Sequence, residues 1–367
     1  MELVFDLNLD NLSLPPLDYF INQGIFTNGK LLTENRDFDK EMRCRILKEE
    51  DQLKVYVWIG PYCYEKSEIF SENSFPFDEN GRFYMKLFCV NPAENLQKCL
   101  DKGNSTVFFS ATLLPLQYYR KMLSTRSENF GMYVESPFEQ KKRCLMICRD
   151  VSSKYTRRGY EEYRKIAEYI ARMSWQKKGN YMVFFPSYRL MEDVYQVYQD
   201  EFSVSWVRCI SQHASMTELE REEFLEEFTE ETEETLVGFC VMGGIFSEGI
   251  DLIGDRLIGA AVVGTGLPQV NCEREILKGY YDEKGEQGFD YAYRYPGMNK
   301  VLQAAGRVIR TKEDTGAILL MDERFLNRDY RNLFPREWND ACTCTLGNVE
   351  KHLQAFWDVS EENDIIC

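Results

Sequence analysis

From about residue 140 the chain repeats one pattern, a short unbroken apolar run followed by an amphipathic stretch. The runs are RCLMIC (143–148), YMVFFP (181–186), VSWVRCI (204–210), LVGFCV (236–241), LIGAAVVG (257–264) and GAILLMD (316–322). Runs this short and continuous suit strands buried on both faces, because a strand with one wet face would alternate apolar and polar residues. Between them, 156–176 carries helical spacing through Tyr160, Tyr163, Ile166, Ile170 and Met173, and 189–199, 217–230 and 297–307 also read as helices. Strands alternating with helices predict a parallel sheet covered on both faces. Residues 140–350 are therefore expected to form one α/β domain.

The preceding third is less regular. The first forty residues, rich in Asn, Asp and Pro, show weak periodicity and read as irregular or partly helical. KVYVWIG (54–60) and RFYMKLFCV (82–90) have strand composition, with FDENG (77–81) as a turn between them. Pro92 and Asn95 introduce a helix near 93–101, and STVFFSA (105–111) reads as another apolar strand. A chain of 367 residues that is 44% hydrophobic has the material for buried cores and is not a disordered linker.

Charge is where composition bears on function. Lys and Arg total 44 against 60 Asp and Glu, a net −16, which argues against coating nucleic acid by bulk charge. The distribution is uneven. Residues 141–178 hold twelve Lys/Arg and four Asp/Glu, a local +8, which is either a solvated face or part of a polyanion-binding surface. Residues 218–234 hold ten Glu and one Arg, read as a solvated helix face and loop. Twelve cysteines occur without a single CxxC and with only two histidines, so no zinc site of usual spacing is visible and no metal site is expected. Several lie inside apolar runs, where a free Cys behaves as a small hydrophobe. The start MELVFDLNLDNLSLPP has neither the basic opening nor the apolar length of a signal peptide or membrane span, so a cytoplasmic protein without membrane contact is expected.

Four clusters carry chemistry. Ser110-Ala111-Thr112 follows an apolar run, where α/β sheets bind ligands, although a plain strand-to-loop turn explains it equally. Pro186-Ser187-Tyr188 follows YMVFF; Ser187 can donate to a phosphate or cap the next helix, and Tyr188 offers a ring for base stacking. Gly243-Gly244-Ile245-Phe246-Ser247-Glu248-Gly249-Ile250-Asp251 follows LVGFCV, its glycines permitting close backbone approach and its two carboxylates suited to a ribose or a neighbouring arginine. In Gln303-Ala304-Ala305-Gly306-Arg307-Val308-Ile309-Arg310, Gln303, Arg307 and Arg310 recur every three to four residues and are expected on one helix face, two guanidinium forks suited to a transferring phosphoryl group.

These clusters, in this order, resemble motifs III to VI of superfamily 2 DNA helicases of the XPD/DinG type. FFSATL, GNYMVFFPSY, GGIFSEGID and QAAGRVIR with DTGAILLMDERF carry the match, which spans roughly 85–340. The resemblance implies a RecA-like second motor domain over 116–367, with 1–115 as a remnant of the first motor domain and of an inserted Arch domain. It implies catalytic roles for Arg307, Arg310 and Gln303. Nucleotide binding and coupling would fall to Gly244, Ser247, Glu248, Gly249 and Asp251. Single-stranded DNA would meet Ser110, Ala111, Thr112, Ser187 and Tyr188, and the basic segment adds Arg157 and Arg158.

No GxxxxGK[ST] loop occurs, and MDER (321–324) lies on the wrong side of the motif order for a DEAH box. The resemblance then makes this the carboxyl-terminal half of an ATP-dependent helicase. ATP and Mg2+ are expected in the complete enzyme; the resemblance leaves room for an iron–sulfur cluster in the missing N-terminal half and implies none in this chain. The half itself is expected to act as a monomer and, alone, not to hydrolyse ATP. The alternatives are a catalytically silent nucleic-acid or partner-binding module of the same fold, or an unrelated α/β nucleotide enzyme, which would need its own phosphate loop.

Overall fold

The computed structural model describes residues 89–244, 246 and 252–366, and the backbone of eight strands within residues 2–86. The chain divides into two compact units, 1–89 and 90–367.

In the first unit, β1 (Glu2–Asp6) pairs antiparallel with β8 (Arg82–Lys86). β2 (Phe26–Thr27) pairs antiparallel with β3 (Lys30–Leu31). β4 (Met42–Glu49), β5 (Gln52–Ile59) and β6 (Tyr62–Tyr64) form an antiparallel sheet, and β7 (Phe70–Ser71) also pairs with β5. Both expected strands are present, as β5 and β8. The opening is not simply irregular, since ELVFD forms β1; the FDENG turn lies outside the described residues.

The second unit opens with α1 (Ala93–Leu100) and α2 (Leu116–Leu123). Its centre is a seven-stranded sheet, parallel throughout, in the order β11-β12-β10-β13-β14-β9-β15. The strands are β9 (Arg143–Cys148), β10 (Asn180–Phe185), β11 (Val207–Ser211), β12 (Thr235–Val241), β13 (Gly259–Val263), β14 (Gly316–Met321) and β15 (Cys342–Cys344). The helices are α3 (Tyr160–Ser174), α4 (Tyr188–Glu201), α5 (Glu218–Glu226), α6 (Cys272–Glu283), α7 (Tyr295–Ala305), the short α8 (Arg328–Arg331) and α9 (Val349–Ile366). This is the expected RecA-like arrangement, a parallel sheet with helices on both faces.

The strand period of two explains the layers. Along β10, Tyr181, Val183 and Phe185 face one core with Ile170 of α3, Val194 of α4 and Trp357 of α9. Met182 and Phe184 face the other, with Phe224 of α5 and Met298, Val301 and Leu302 of α7. Phe184 is fully buried, which is worth about 1.5–3 kcal/mol for a side chain of this kind. A third cluster joins α2 to the α6–α7 region through tyrosines, with Tyr281 and Tyr291 stacked at 3.8 Å and Tyr118 edge-on to Tyr291 at 5.4 Å.

Two expectations change. STVFFSA forms no strand: residues 105–110 are irregular, and Val107 and Phe109 are 79% and 89% exposed. Strand composition describes a fit to a pleated, half-buried surface, and no described strand pairs with this segment. The thiols also divide, because Cys148, Cys240 and Cys344 are buried whereas Cys89, Cys99 and Cys272 are exposed. The nine described cysteines are all free. Among the described residues no helix is long and apolar enough to cross a membrane.

Candidate functional site

Because every strand of this sheet runs the same way, the loops leaving the strands gather at one edge and those entering gather at the other. The expected residues divide between these edges. Ser187 and Tyr188 follow β10, and Gly243 and Gly244 follow β12, at the carboxyl edge. Arg307 and Arg310 lie between α7 and the start of β14, so their turn leads into the amino edge.

At the carboxyl edge Ser187 caps α4, its hydroxyl accepting the Leu190 N–H at 3.4 Å. Tyr188 accepts a hydrogen bond from Gln212 Nε2 at 2.8 Å. Gln212 is 2% exposed, and its Oε1 accepts the Val241 N–H at 2.9 Å. One buried amide thus ties Tyr188 to the end of β12, from which the glycine loop springs. Burial pushes the Tyr188 phenol up. Gly243 has φ +71°, a conformation that favours glycine, and a Cβ there would meet Lys300 Cε of α7 at 2.9 Å. Phe246, fully buried, packs on Phe224 with ring centres 4.4 Å apart, anchoring the loop to α5. Ser247, Glu248, Gly249 and Asp251 lie outside the described residues.

At the amino edge the expected helix face is not formed. α7 stops at Ala305, and the chain turns through Gly306 N–H to Leu302 O (2.9 Å), Arg307 N–H to Ala304 O (3.3 Å) and Val308 N–H to Ala305 O (3.4 Å). Gln303 remains on the helix, while Arg307 sits in the turn and Arg310 beyond it. Asp314 organises the backbone from Arg310 onward. Its carboxylate accepts the Arg310 and Thr311 N–H groups, each at 2.7 Å, the Thr311 hydroxyl at 2.7 Å and the Gly254 N–H at 3.2 Å. Burial alone would raise this carboxyl, but these donors hold it below the ordinary range. Asp314 therefore fastens the arginine turn to Gly254, three residues beyond Asp251.

Of the other candidates, Ser110 and Ala111 are exposed, and Thr112 donates its N–H to Ser110 Oγ at 3.2 Å. The amide nitrogen of Asn299 on α7 donates to Thr112 O at 3.2 Å and Leu114 O at 3.1 Å, tying this segment to the helix that leads to the arginines. Arg157 pairs with Glu162 (3.2 Å) and Glu323 (3.4 Å). Arg158 donates to Ser153 O at 3.4 Å and lies 5.6 Å from the Tyr155 ring centre. Nearby, fully buried Asp322 accepts from the Ser153 N–H and hydroxyl and from Arg324 Nε, each at 2.8 Å. Gln212, Asp314 and Lys300 were missed in the sequence. Gln212 had a signal, a polar residue directly after the β11 run; Asp314 resembled any turn aspartate. Among the described residues no group of His, Cys, Asp and Glu could hold a metal ion.

Residues 170–341 match the family model of the helicase C-terminal domain. The ATP-dependent DNA helicase XPD of Sulfolobus acidocaldarius is 26% identical over 262 residues, covering 68% of this chain and 44% of its own length. Together these matches support an XPD/DinG-type helicase C-terminal region. The regulator of telomere elongation helicase 1 homolog of Culex quinquefasciatus is 26% identical over 308 residues, 76% of this chain and 31% of its own. An apo XPD structure superposes with a TM-score of 0.55 at 21% identity, covering 79% of this chain and 54% of its own, and shares the fold. The chain spans less than half the length of these two curated relatives.

Proposed function

We propose that this helicase C-terminal domain is the second motor of an ATP-dependent DNA helicase, working with a first motor that carries the phosphate loop. The observation that carries this reading is the placement of the residues that flank β12 and β13, Met242 to Gly244 on one side and Leu252 to Ile258 on the other. The first leave β12 at the carboxyl edge, beside Tyr188, and the second enter β13 at the amino edge, where Gly254 meets Asp314 and the arginine turn. The two candidate sites thus lie at the two ends of one connection between neighbouring parts of the sheet, which suits coupling between them.

In this reading ATP lies between the two motors, and the first contributes the phosphate-loop lysine and the acid that holds Mg2+. Arg307 and Arg310 stabilise charge on the transferring phosphoryl group, with Gln303 near it. Gly244, Ser247, Glu248, Gly249 and Asp251 couple the nucleotide to the strand. Ser187 and Tyr188, with Ser110, Ala111 and Thr112, contact single-stranded DNA, and Arg157 and Arg158 border that path. Closure on ATP and opening on release then move the strand by a hinge. The exposed Val107 and Phe109 suit a segment that pairs within the first motor's sheet.

Mixing the chain with a phosphate-loop-bearing first motor tests this. DNA-stimulated ATP hydrolysis is expected from the pair, falling about a thousandfold in Arg310→Ala, the low end for an arginine finger, and none from the chain alone. A pair that binds DNA without hydrolysing ATP would favour the catalytically silent module.

A further inference from the structure

The chain carries sixteen more acidic than basic side chains, yet two neighbouring helices hold cations that no acid among the described residues meets. They are Lys300 and Arg274. Both are half-buried, and among the described residues neither has a carboxylate within ion-pair distance. Arg274, in the first turn of α6, donates from Nη1 to Ala292 O at 3.2 Å. Lys300 makes no hydrogen bond among the described residues, and its ammonium is held below its ordinary range first by burial and then by the Arg274 charge. Two half-buried cations without a counter-ion among the described residues are costly to the fold unless an anion from outside completes them.

Their position says which anion. α7 lies along the carboxyl edge, with Gly297 against the 265–266 backbone, where a Cβ would come within 2.7 Å of Thr265 O. One turn later, Lys300 lies against Gly243, its Nζ 3.1 Å from where a Cβ would sit. A side chain at 243 would therefore displace the ammonium. The Thr265 hydroxyl, in a residue only 1% exposed, has no hydrogen-bond partner among the described residues. Ser187 and Tyr188 open onto the same edge, opposite the one into which the arginine turn leads.

We propose that Lys300 and Arg274 form a phosphate-binding site that takes a backbone phosphate of single-stranded DNA beside the Gly243–Gly244 loop. This rests on the second-motor reading and adds to it the residues that grip the strand at the glycine loop. A phosphodiester brings one negative charge and two unesterified oxygens, one for the ammonium and one for the guanidinium. Gly243 keeps the backbone thin where the strand passes.

Fluorescence anisotropy of a labelled oligothymidylate with the full chain, over a salt series, tests the site. Lys300→Gln is expected to weaken binding about tenfold, the loss of one charge-assisted contact, and to reduce the salt slope by about one. Arg274→Gln is expected to weaken it less, and Lys300→Arg to hold both near the parent values. Circular dichroism and thermal melting confirm that each variant folds, and Arg274→Gln carries the test if Lys300→Gln does not. Unchanged affinity and salt slope in folded Lys300→Gln would overturn the site. So would absence of oligothymidylate binding by the parent chain, or loss confined to a fluorescent ATP analogue. None of these outcomes touches the second-motor reading, which stands or falls on Arg310→Ala in the reconstituted pair.

Discussion

Two basic regions of this domain differ in a way that net charge conceals. The segment 141–178 carries twelve cations and stands out in the sequence, yet six of them are paired with carboxylates in the fold. Arg143 pairs with Asp340, Lys154 with Glu323, Arg157 with Glu162 and Glu323, Arg164 with Glu168 and Glu201, and Arg172 with Glu168 and Glu350. Lys300 and Arg274 are only two residues in unremarkable helices, and among the described residues no acid answers them. A local charge excess tells how many cations a segment has. A partner inventory tells which of them are available to a ligand.

The two regions part most sharply at the two acids that come after β14. Asp322 grips Ser153 and Arg324, and Glu323 grips Lys154 and Arg157, so the basic segment's turn is held from the end of the sheet. Removing one member of a buried pair strands the other, and Asp322→Ala is expected to cost about 3–5 kcal/mol in urea denaturation at neutral pH. The pH dependence has a definite sign. Burial alone would raise the Asp322 carboxyl, but Arg324 first, and then its other donors, hold it below its ordinary 3.8. Its contribution is thus present above the unfolded value and lost as pH falls through the lower folded one. The gap between parent and Asp322→Ala should close in that acid window. A gap that persists unchanged into acid would mean the carboxylate charge is not what the turn depends on.

Lys300 should behave in the opposite sense. A half-buried ammonium without a carboxylate partner among the described residues is tolerated by the fold, not needed by it, so Lys300→Met is expected to stabilise the chain by about 1 kcal/mol in urea denaturation. The same variant should lose affinity for oligothymidylate. Stability gained together with binding lost is the signature of a group retained for a ligand; destabilisation by Lys300→Met would place it among the structural cations instead.

The sheet was legible because its signal is local. RCLMIC and GAILLM are β9 and β14 to within a residue, since strands buried on both faces leave continuous apolar runs. α6 and α9 carry no such local signal. In α6 the apolar positions Ile276, Leu277, Tyr280 and Tyr281 are crowded by charges, and its tyrosine packs on Tyr291 across a break in the pattern. The arginine turn is hidden differently. Continuation of α7 through Arg310 fits the spacing, but the helix ends at Ala305 and Asp314 holds the Arg310 and Thr311 N–H groups beyond it. Pairing was the least legible property. Glu323 lies 166 residues from Arg157, and Glu350 lies 178 from Arg172, so no count along the segment registers them.

The smallest effect separates two neighbours that sequence treats alike. Arg157 is exposed and shared between Glu162 and Glu323; Arg158 keeps only a carbonyl and the Tyr155 ring. Arg157 is exposed and the buried Glu162 keeps the Ser152 N–H as a second donor, so Arg157→Gln should change stability by at most about 1 kcal/mol. A phosphate that recruits Arg157 must first draw it from two carboxylates, whereas Arg158 can turn at the cost of one long hydrogen bond. Arg158→Gln is therefore expected to lower the oligothymidylate salt slope slightly, by less than Lys300→Gln, and Arg157→Gln to leave it unchanged. Were Arg157→Gln to lower the slope as far as Lys300→Gln, the two carboxylates would be releasing their arginine on DNA binding, and partner pairing would no longer distinguish the two basic regions.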